Sequence, residues 1–442
     1  MLKEVHPTVG LATIVSPFEV GAEKSQALQQ KALTALTNAG IKVIPTRKLI
    51  DSDEAALEAA RDLRGQDLDA VCLLYGTYAD DTYATTVVEQ LQAPFIIWGT
   101  NDFDTGSMAG AQQASEVLSE MGYYYKLVFG NVDDRRAVDA VRMVARVAYA
   151  KRSLFNCRLG VFGYPRIKGQ TQAAVDEIEL RKKIGCRLVG VGMDVLRSEM
   201  KQPEKKEITA TWEQVSKGIT KITVSEEQVD EAVRAYLAIR KIVREKRLNA
   251  IAIEDWNELI GIPNLAFSLL NDEGVPAGCE ADVHATLMLY LLSILTGKPA
   301  FHGELLGMFE KEDALLVAHY GAGAPSLAES RGEISLEPDR SPSGRGVSVV
   351  FRVRKGPVTL ASLTGRRDSY RMMIAAGESI EAPHVFHGGI VANIKFHVNH
   401  RQVLDEAVGM SHHWMVGLGD VSRELVEYCK MTGIQPVQVG GS

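Results

Sequence analysis

Residues 8–152 alternate short apolar runs, rich in β-branched residues, with segments of helical character. The runs are Val9–Val15, Ile41–Ile44, Ala70–Leu74, Pro94–Trp98 and Lys126–Phe129. Strands this apolar are usually covered by helices on both faces, which is typical of a parallel sheet built from βαβ units. The pattern therefore predicts an α/β fold that begins with a doubly wound, Rossmann-like domain over residues 1–152. Ligands of such sheets bind beyond the carboxyl ends of the strands, so Tyr75–Tyr78 and Trp98–Asn101 form the predicted functional edge.

The same alternation restarts after residue 152. A helix is predicted over Glu226–Lys246, because Ser225 and Gln228 have the spacing of a capping box. The predicted strands of this region are Arg158–Gly163, Arg187–Gly192 and Ala250–Glu254. A second doubly wound, Rossmann-like domain is therefore expected over residues 153–322.

The sequence pattern changes near residue 323. From there, turn-forming segments rich in Ser, Pro and Gly separate short runs of alternating apolar and polar residues, such as Val347–Val353 and Val358–Leu363. This pattern predicts a small antiparallel β-barrel domain over residues 323–442. Two helical segments, Arg401–Val408 and Ser422–Met431, flank the pair His412-His413.

Composition limits the classes of protein that the chain can belong to. Its 442 residues suffice for two or three domains with full cores. The net charge of −7 argues against a nucleic-acid partner, which needs clustered Lys and Arg. No apolar run approaches the ~20 residues of a membrane span, and the start lacks the apolar stretch of a signal peptide, so we expect a cytoplasmic protein. The five cysteines are scattered and indicate buried thiols rather than disulfides.

Carboxylates and histidines suggest one divalent metal site. Glu280 precedes and Glu304 follows an apolar helical run, His284–Leu295, while His319 and the pair His412-His413 lie further along. A helix between the two carboxylates allows the chain to leave and return to the same end of a sheet. Carboxylate and imidazole ligands without thiolate favour Mn²⁺, Co²⁺ or Mg²⁺ over a structural zinc.

Four places in the sequence resemble the L-fucose and L-arabinose isomerases. They are Cys279–Val283, Glu304, the phrase Phe309-Glu310-Lys311 leading to His319, and His412-His413. The resemblance implies an Mn²⁺-dependent aldose–ketose isomerase, an enzyme that moves a sugar carbonyl between C1 and C2 through a metal-bound enediol. It also implies a homo-oligomer, trimer or hexamer, in which the first domain closes a neighbour's pocket. The chain is shorter than typical members, so a 6-modified aldose such as sulfoquinovose is an alternative to fucose- or arabinose-type substrates.

The resemblance also implies a role for each site residue. Glu280 and Glu304 would be metal ligands and the catalytic acid and base, while His319 and His413 would complete the ligand set. His412 would form a hydrogen bond with a sugar hydroxyl rather than bind the metal. Each residue also has a simpler interpretation: a helix-terminal charge for Glu280, a surface acid for Glu304 and a core histidine for His319. Adjacent histidines in a strand would also point to opposite faces.

Two tryptophans are candidates for contact with the sugar. Trp98 occupies a place that resembles the aromatic residue these isomerases lend to a neighbouring subunit, and burial is its alternative. Trp256 ends a predicted strand in Glu254-Asp255-Trp256-Asn257, where Asp255 could instead cap a helix.

Two further observations concern the surroundings of the site. Asp282 is assigned to helix capping or to support of a metal ligand. Arg166, Lys168 and Gln170 could recognise an anionic or polar sugar terminus, or belong to a solvated loop.

Two other classes of function remain open from the sequence. Paired α/β domains also describe a non-catalytic sugar-binding or sensor protein. Two buried carboxylates without a cation would force one of them to protonate, which counts against that class. A metal-dependent aldolase or epimerase would share the enediolate step.

Overall fold

The structure is a computed structural model that describes residues 5–167, 169–256, 259–367, 369–383 and 385–440. The chain divides into two compact units, Glu4–Arg152 and Ser153–Ser442, which are described separately. Within the described ranges, no helix has both the length and the apolar character needed to cross a membrane.

The first unit contains one five-stranded sheet in the order β2-β1-β3-β4-β5, and every pair in it is parallel. Its elements are β1 (Thr8–Ile14), α1 (Ser25–Asn38), β2 (Lys42–Pro45), α2 (Asp53–Leu63), β3 (Ala70–Tyr75), α3 (Asp81–Gln90), β4 (Phe95–Gly99), α4 (Ser107–Glu120), β5 (Tyr125–Phe129) and α5 (Arg135–Phe155). Strands β1, β3 and β4 are fully buried, as expected for a sheet covered on both faces. The predicted parallel sheet is confirmed.

The carboxyl edge of this sheet carries a cavity. Its volume is about 1280 Å³, and its lining includes Gly76, Thr100, Asn101 and Phe103. The predicted functional edge therefore borders a cavity of the first unit.

The second unit begins with a four-stranded parallel sheet in the order β10-β9-β6-β7. Its elements are β6 (Arg158–Phe162), α6 (Glu177–Lys183), β7 (Arg187–Val191), α7 (Met193–Met200), α8 (Lys205–Ser216), α9 (Glu226–Lys246), β9 (Ala250–Ile253), α10 (Asn264–Asp272), β10 (Ala277–Gly278) and α11 (Val283–Thr296). The predicted second parallel sheet is confirmed. Helix α9 has the predicted bounds, because Ser225 and Gln228 form both hydrogen bonds of the capping box.

A ten-stranded sheet occupies the rest of the second unit, in the order β19-β16-β15-β18-β11-β12-β17-β14-β13-β8. Its elements are β8 (Lys221–Ile222), β11 (Ala300–Phe309), β12 (Ala314–His319), β13 (Ser335–Glu337), β14 (Ser348–Arg352), β15 (Gly356–Thr364), β16 (Arg371–Ile380), β17 (Ile390–Phe396), α12 (His400–Glu406), β18 (His413–Leu418), α13 (Ser422–Thr432) and β19 (Gln435–Val439). Strand β16 also pairs with β17, so six strands form a closed ring of neighbours.

The predicted small antiparallel barrel is not confirmed: the six strands of the ring pair antiparallel, but the sheet extends beyond them and is mixed as a whole. Three of its pairs are parallel, namely β8 with β13, β14 with β17, and β16 with β19. Strands β11 and β12 precede residue 323 and still belong to this sheet. The division of the second unit into domains at residues 322/323 therefore stays a prediction, with two strands of the earlier segment in the later sheet.

Candidate metal centre

Glu280 lies on the turn that connects β10 with α11. Glu280 and Ala281 both have left-handed backbones, with φ of 57° and 51°. Residues other than glycine rarely adopt this backbone conformation, so two consecutive residues in it need support from their surroundings. The support is visible: the Glu280 N–H donates to Asp255 Oδ1 at 2.7 Å, and the Ala281 N–H donates to the Ile253 carbonyl at 2.8 Å. The turn thereby fixes the buried Glu280 carboxylate beside the ten-stranded sheet.

Three neighbouring strands supply the other predicted ligands. Glu304 on β11 is directly opposite His413 on β18, and directly opposite residues of an antiparallel pair point to the same face. His319 is the last residue of β12. Strand β11 lies between β12 and β18 and pairs with both. The sheet thus brings together residues that are far apart in sequence.

The distances describe two groups of side chains that share His413. Glu280 Oε1 lies 3.7 Å from His319 Nε2, and Glu280 Oε2 lies 3.4 Å from His413 Nε2. Glu304 Oε1 lies 3.6 Å from His412 Nε2. In the group Glu280, His319 and His413, and in the group Glu304, His412 and His413, one potential ligand atom of each residue lies within 4.8 Å of the others. All four predicted ligands therefore meet around one imidazole.

Asp282 orients that imidazole. Its Oδ2 lies 2.8 Å from His413 Nδ1, and both side chains are almost fully buried. Its Oδ1 accepts the N–H of Ala285, so the same carboxylate caps α11. Burial opposes charging of His413, but the hydrogen bond with Asp282 and the charge of Glu280 prevail and raise its pKa to about 10. The pKa of Glu280 is lowered despite burial, because His319 and His413 stabilise the carboxylate.

Two buried imidazole nitrogens fit a bound cation. Nε2 of His413 approaches Glu280 without hydrogen-bond geometry, and among the described residues this nitrogen has no hydrogen-bond partner. Nε2 of His302 is likewise buried without one. Buried polar atoms normally have a hydrogen-bond partner. A buried imidazole nitrogen that faces a carboxylate without forming a hydrogen bond is the arrangement expected of a metal ligand. Carboxylates and imidazoles also form a suitable donor set for Mn²⁺, Co²⁺ or Mg²⁺.

His302 also belongs to the cluster, although no role was assigned to it from the sequence. Its ring centroid lies 4.3 Å from that of His413 and 5.2 Å from that of His319, and the side chain is fully buried. Burial and the neighbouring charge of His413 lower its pKa well below the usual value, so the ring is neutral. Cys279 Sγ lies 3.5 Å from His302 Nδ1. The signal was present in the sequence, since His302 and Glu304 are two residues apart in a strand and share a face.

The loop after β6 reaches the same cluster. Gln170 Nε2 donates to Glu280 Oε2 and lies 3.4 Å from His412 Nε2, while Gln172 Nε2 lies 3.2 Å from His412 Nδ1. His412 is half-buried, in agreement with a position at the rim of the site. Lys168, considered with Gln170 for recognition of a sugar terminus, lies outside the described residues.

The two tryptophans differ in their surroundings. Trp98 is fully buried in the first unit, and its indole Nε1 donates to the Gly130 carbonyl at 2.8 Å. A ring without exposed surface has no face to offer a sugar, so the structure favours burial over the predicted stacking role. Trp256 is 43% exposed beside Asp255, and sugar contact stays a prediction. Helix capping by Asp255 would involve residues 257 and 258, which lie outside the described residues. Burial and the charge of Glu280 raise the pKa of Asp255 to about 7.

Comparison with known proteins gives two kinds of match. Residues 306–435 match the family model of the L-arabinose isomerase C-terminal domain. The sulfoquinovose isomerase of Priestia aryabhattai is 25% identical over 430 residues, which cover 93% of this chain and 95% of that protein. The sulfoquinovose isomerase of Clostridium sp. (strain MSTE9) is 22% identical with the same coverage of both chains. The L-arabinose isomerase of Thermotoga neapolitana is 24% identical over 296 residues, covering 63% of this chain and 59% of its own.

These matches confirm the resemblance that the four motifs indicated. They also confirm the prediction of an enzyme rather than a non-catalytic binding protein. The chain is an aldose–ketose isomerase related to the L-arabinose isomerase family.

Proposed function

We propose that the protein is an Mn²⁺-dependent isomerase whose substrate is an aldose with an anionic substituent at C6, of the sulfoquinovose type. The convergence of Glu280, Glu304 and His319 around the buried His413 carries this proposal. The matched sulfoquinovose isomerases extend over nearly the whole chain, whereas the matched L-arabinose isomerases cover less than two thirds of it. This difference favours a sulfonated hexose over arabinose. By the same resemblance we propose a homo-oligomer.

The ion would be held by Glu280, Glu304, His319 and His413. When bound, it would supply a Lewis acid that stabilises negative charge on the sugar oxygens. Asp282 keeps the Nδ1 side of His413 occupied, so that Nε2 faces the centre. Co²⁺ or Mg²⁺ would suit the same donors.

The two carboxylates are the proposed proton carriers. Isomerisation removes a proton from C2 and delivers one to C1, while the sugar oxygens exchange another. Glu280 is 7% exposed at its side chain and Glu304 is 28% exposed, so the two differ in access to solvent. We assign the transfer between C2 and C1 to this pair, with Glu304 as the member that exchanges its proton with water. Gln170, which donates to Glu280, would hold the buried carboxylate in place.

The test replaces one proton carrier and a matched surface glutamate. Glu304→Gln keeps size and polarity but removes the basic oxygen, and we expect turnover to fall by about 10²- to 10⁴-fold. Glu378→Gln changes an exposed residue of β16 and should leave turnover unaffected. Conversion of sulfoquinovose by protein stripped with EDTA and reloaded with Mn²⁺ provides the measurement, with melting temperature as the control for folding. Unchanged turnover in Glu304→Gln would remove Glu304 from this role, and cleaved or C2-inverted products would indicate an aldolase or epimerase.

A further inference from the structure

A row of stacked groups leads from the candidate metal centre to an arginine. The Tyr320 ring centroid lies 5.1 Å from that of His319 and 6.5 Å from that of Phe386, which it stacks at 14°. The Arg340 guanidinium carbon lies 4.5 Å from the centroid of the same Phe386 ring. Phe386 is 9% exposed and packs in a small apolar cluster with Ala318, the residue opposite Glu304. Phe386, the ring under Arg340, therefore packs against the strand that ends in His319.

The backbone also holds Arg340 against the segment 319–321 on two sides. A Cβ on Gly389 would lie 2.5 Å from the His319 carbonyl oxygen, and a Cβ on Gly388 would lie 3.0 Å from Arg340 Cβ. The first approach is closer than real Cβ atoms show, and the second is tight, so two consecutive glycines lie directly between the His319 backbone and Arg340.

The second support comes through the residue before Arg340. The buried carboxylate of Asp339 accepts a hydrogen bond from Asn264 Nδ2 at 2.8 Å. Asn264 in turn packs against Gly321, where a Cβ would lie 2.6 Å from its Oδ1. Arg340 is thus an exposed side chain on a rigid support beside His319.

The guanidinium keeps its charge available. Across the described ranges of the chain, no carboxylate forms an ion pair with Arg340, and the stack over Phe386 orients the guanidinium without neutralising it.

We propose that Arg340 binds the anionic group at the end of the sugar remote from the carbonyl, an inference that rests on the proposed function. The planar guanidinium offers paired N–H donors that match the oxygens of a sulfonate. Glu280 and Glu304 would repel an anionic sugar, so a cation at the far end offsets this repulsion and fixes which end of the sugar enters first.

Arg166 is the competing cation. It lies on the loop that carries Gln170 and stacks over the Tyr164 ring at 5.3 Å. Its guanidinium donates to the Ile167 carbonyl at 3.4 Å, within its own loop. No ring stack or glycine contact of the kind seen at Arg340 connects this arginine to a predicted metal ligand within the residues described, so we favour Arg340.

The experiment measures kcat/KM for sulfoquinovose, glucose and glucose 6-phosphate with Mn²⁺-loaded wild type, Arg340→Gln, Arg340→Lys and Arg166→Gln. Arg240→Gln is the matched control, because Arg240 also lies over a ring, that of Tyr236, on helix α9. For Arg340→Gln we expect a loss of about 10- to 100-fold with sulfoquinovose, mainly through KM, since one charge-assisted contact is removed. Activity with neutral glucose should not change. Arg340→Lys should recover part of the loss with sulfoquinovose, because lysine restores the positive charge but lacks the paired N–H donors of the guanidinium.

The outcomes separate this inference from the proposed function. Wild type that converts sulfoquinovose, together with an unaffected Arg340→Gln variant, overturns the role of Arg340 alone. A selective loss in Arg166→Gln instead would assign the anion to the loop. Wild type that converts only glucose overturns both the anionic substrate and the role of Arg340, and a preference for glucose 6-phosphate would identify a phosphate as the anion that Arg340 binds.

Discussion

Replacing Asp282 with asparagine tests whether His413 is held for a metal. The substitution keeps an oxygen that can cap α11 through the N–H of Ala285, so the fold should survive. It removes the negative charge that lies 2.8 Å from His413 Nδ1 in a fully buried environment. The change therefore isolates the electrostatic support of the ligand from the structure of the helix.

The magnitude follows from the pKa of His413. Raising that pKa from 6.5 to about 10 corresponds to about 5 kcal/mol of preference for a positive charge on this ring. If Asp282 and Glu280 contribute equally, Asp282→Asn removes roughly 2 kcal/mol of it. The same field acts on a cation at Nε2, so we expect Mn²⁺ affinity to fall by about 30-fold, within the range of about 10- to 100-fold typical of residues that orient metal ligands.

The assay is a titration of EDTA-stripped protein with Mn²⁺, in which electron paramagnetic resonance reports the free ion. Asp176→Asn is the matched control, since Asp176 is an exposed N-cap that accepts from Ile178 and Glu179. This control should bind Mn²⁺ like the wild type. An Asp282→Asn variant that folds and keeps the wild-type Kd would refute the argument that His413 is a supported ligand.

Three further predictions concern the same centre. Because the pKa of His413 lies above its ordinary value, protonation of this ring stabilises the metal-free protein fully below about pH 6.5, and that stability is lost as pH rises toward 10. The melting temperature of stripped protein should fall over this window, and His413→Gln should flatten the fall. Mn²⁺ displaces the proton, so calorimetry at pH 8 in buffers of different ionisation enthalpy should detect the release of at least one proton per ion; equal heats after dilution correction would contradict this. Gly389→Ala presses a methyl group on the His319 carbonyl and should destabilise the protein by about 1–3 kcal/mol and weaken Mn²⁺ binding. Gly190→Ala is the control, because Gly190 on β7 has open space around its Cα, and this variant should keep stability and Mn²⁺ affinity close to those of the wild type.

The regular parts of the fold follow from local patterns. Continuous apolar runs such as Ala70–Leu74 predicted buried parallel strands, because only a sheet covered on both faces buries every residue of a strand. The capping box of Ser225 and Gln228 predicted the start of α9, because that signal is contained within four residues. These features need no knowledge of distant contacts.

Pairing between distant segments could not be predicted in this way. The register that places Glu304 opposite His413 joins residues on strands far apart in sequence, and a shift of one residue would turn the side chains to the other face. The mixed ten-stranded sheet arises from the same long-range pairing, which alternation of apolar residues does not encode. The burial of Trp98 could not be predicted either, since the exposure of its ring depends on the helices that cover its strand.

Proton transfer by Glu280 and Glu304 is tested most directly by isomerisation in D₂O followed by nuclear magnetic resonance. Stripped protein is incubated with sulfoquinovose, with and without Mn²⁺, and the C1 and C2 positions are observed. We expect conversion to the ketose only with Mn²⁺, with deuterium entering the product because Glu304 exchanges its proton with water. Conversion that is independent of added metal after complete stripping, or complete transfer of the C2 hydrogen to C1 without any deuterium, would contradict proton transfer by these carboxylates at a metal centre.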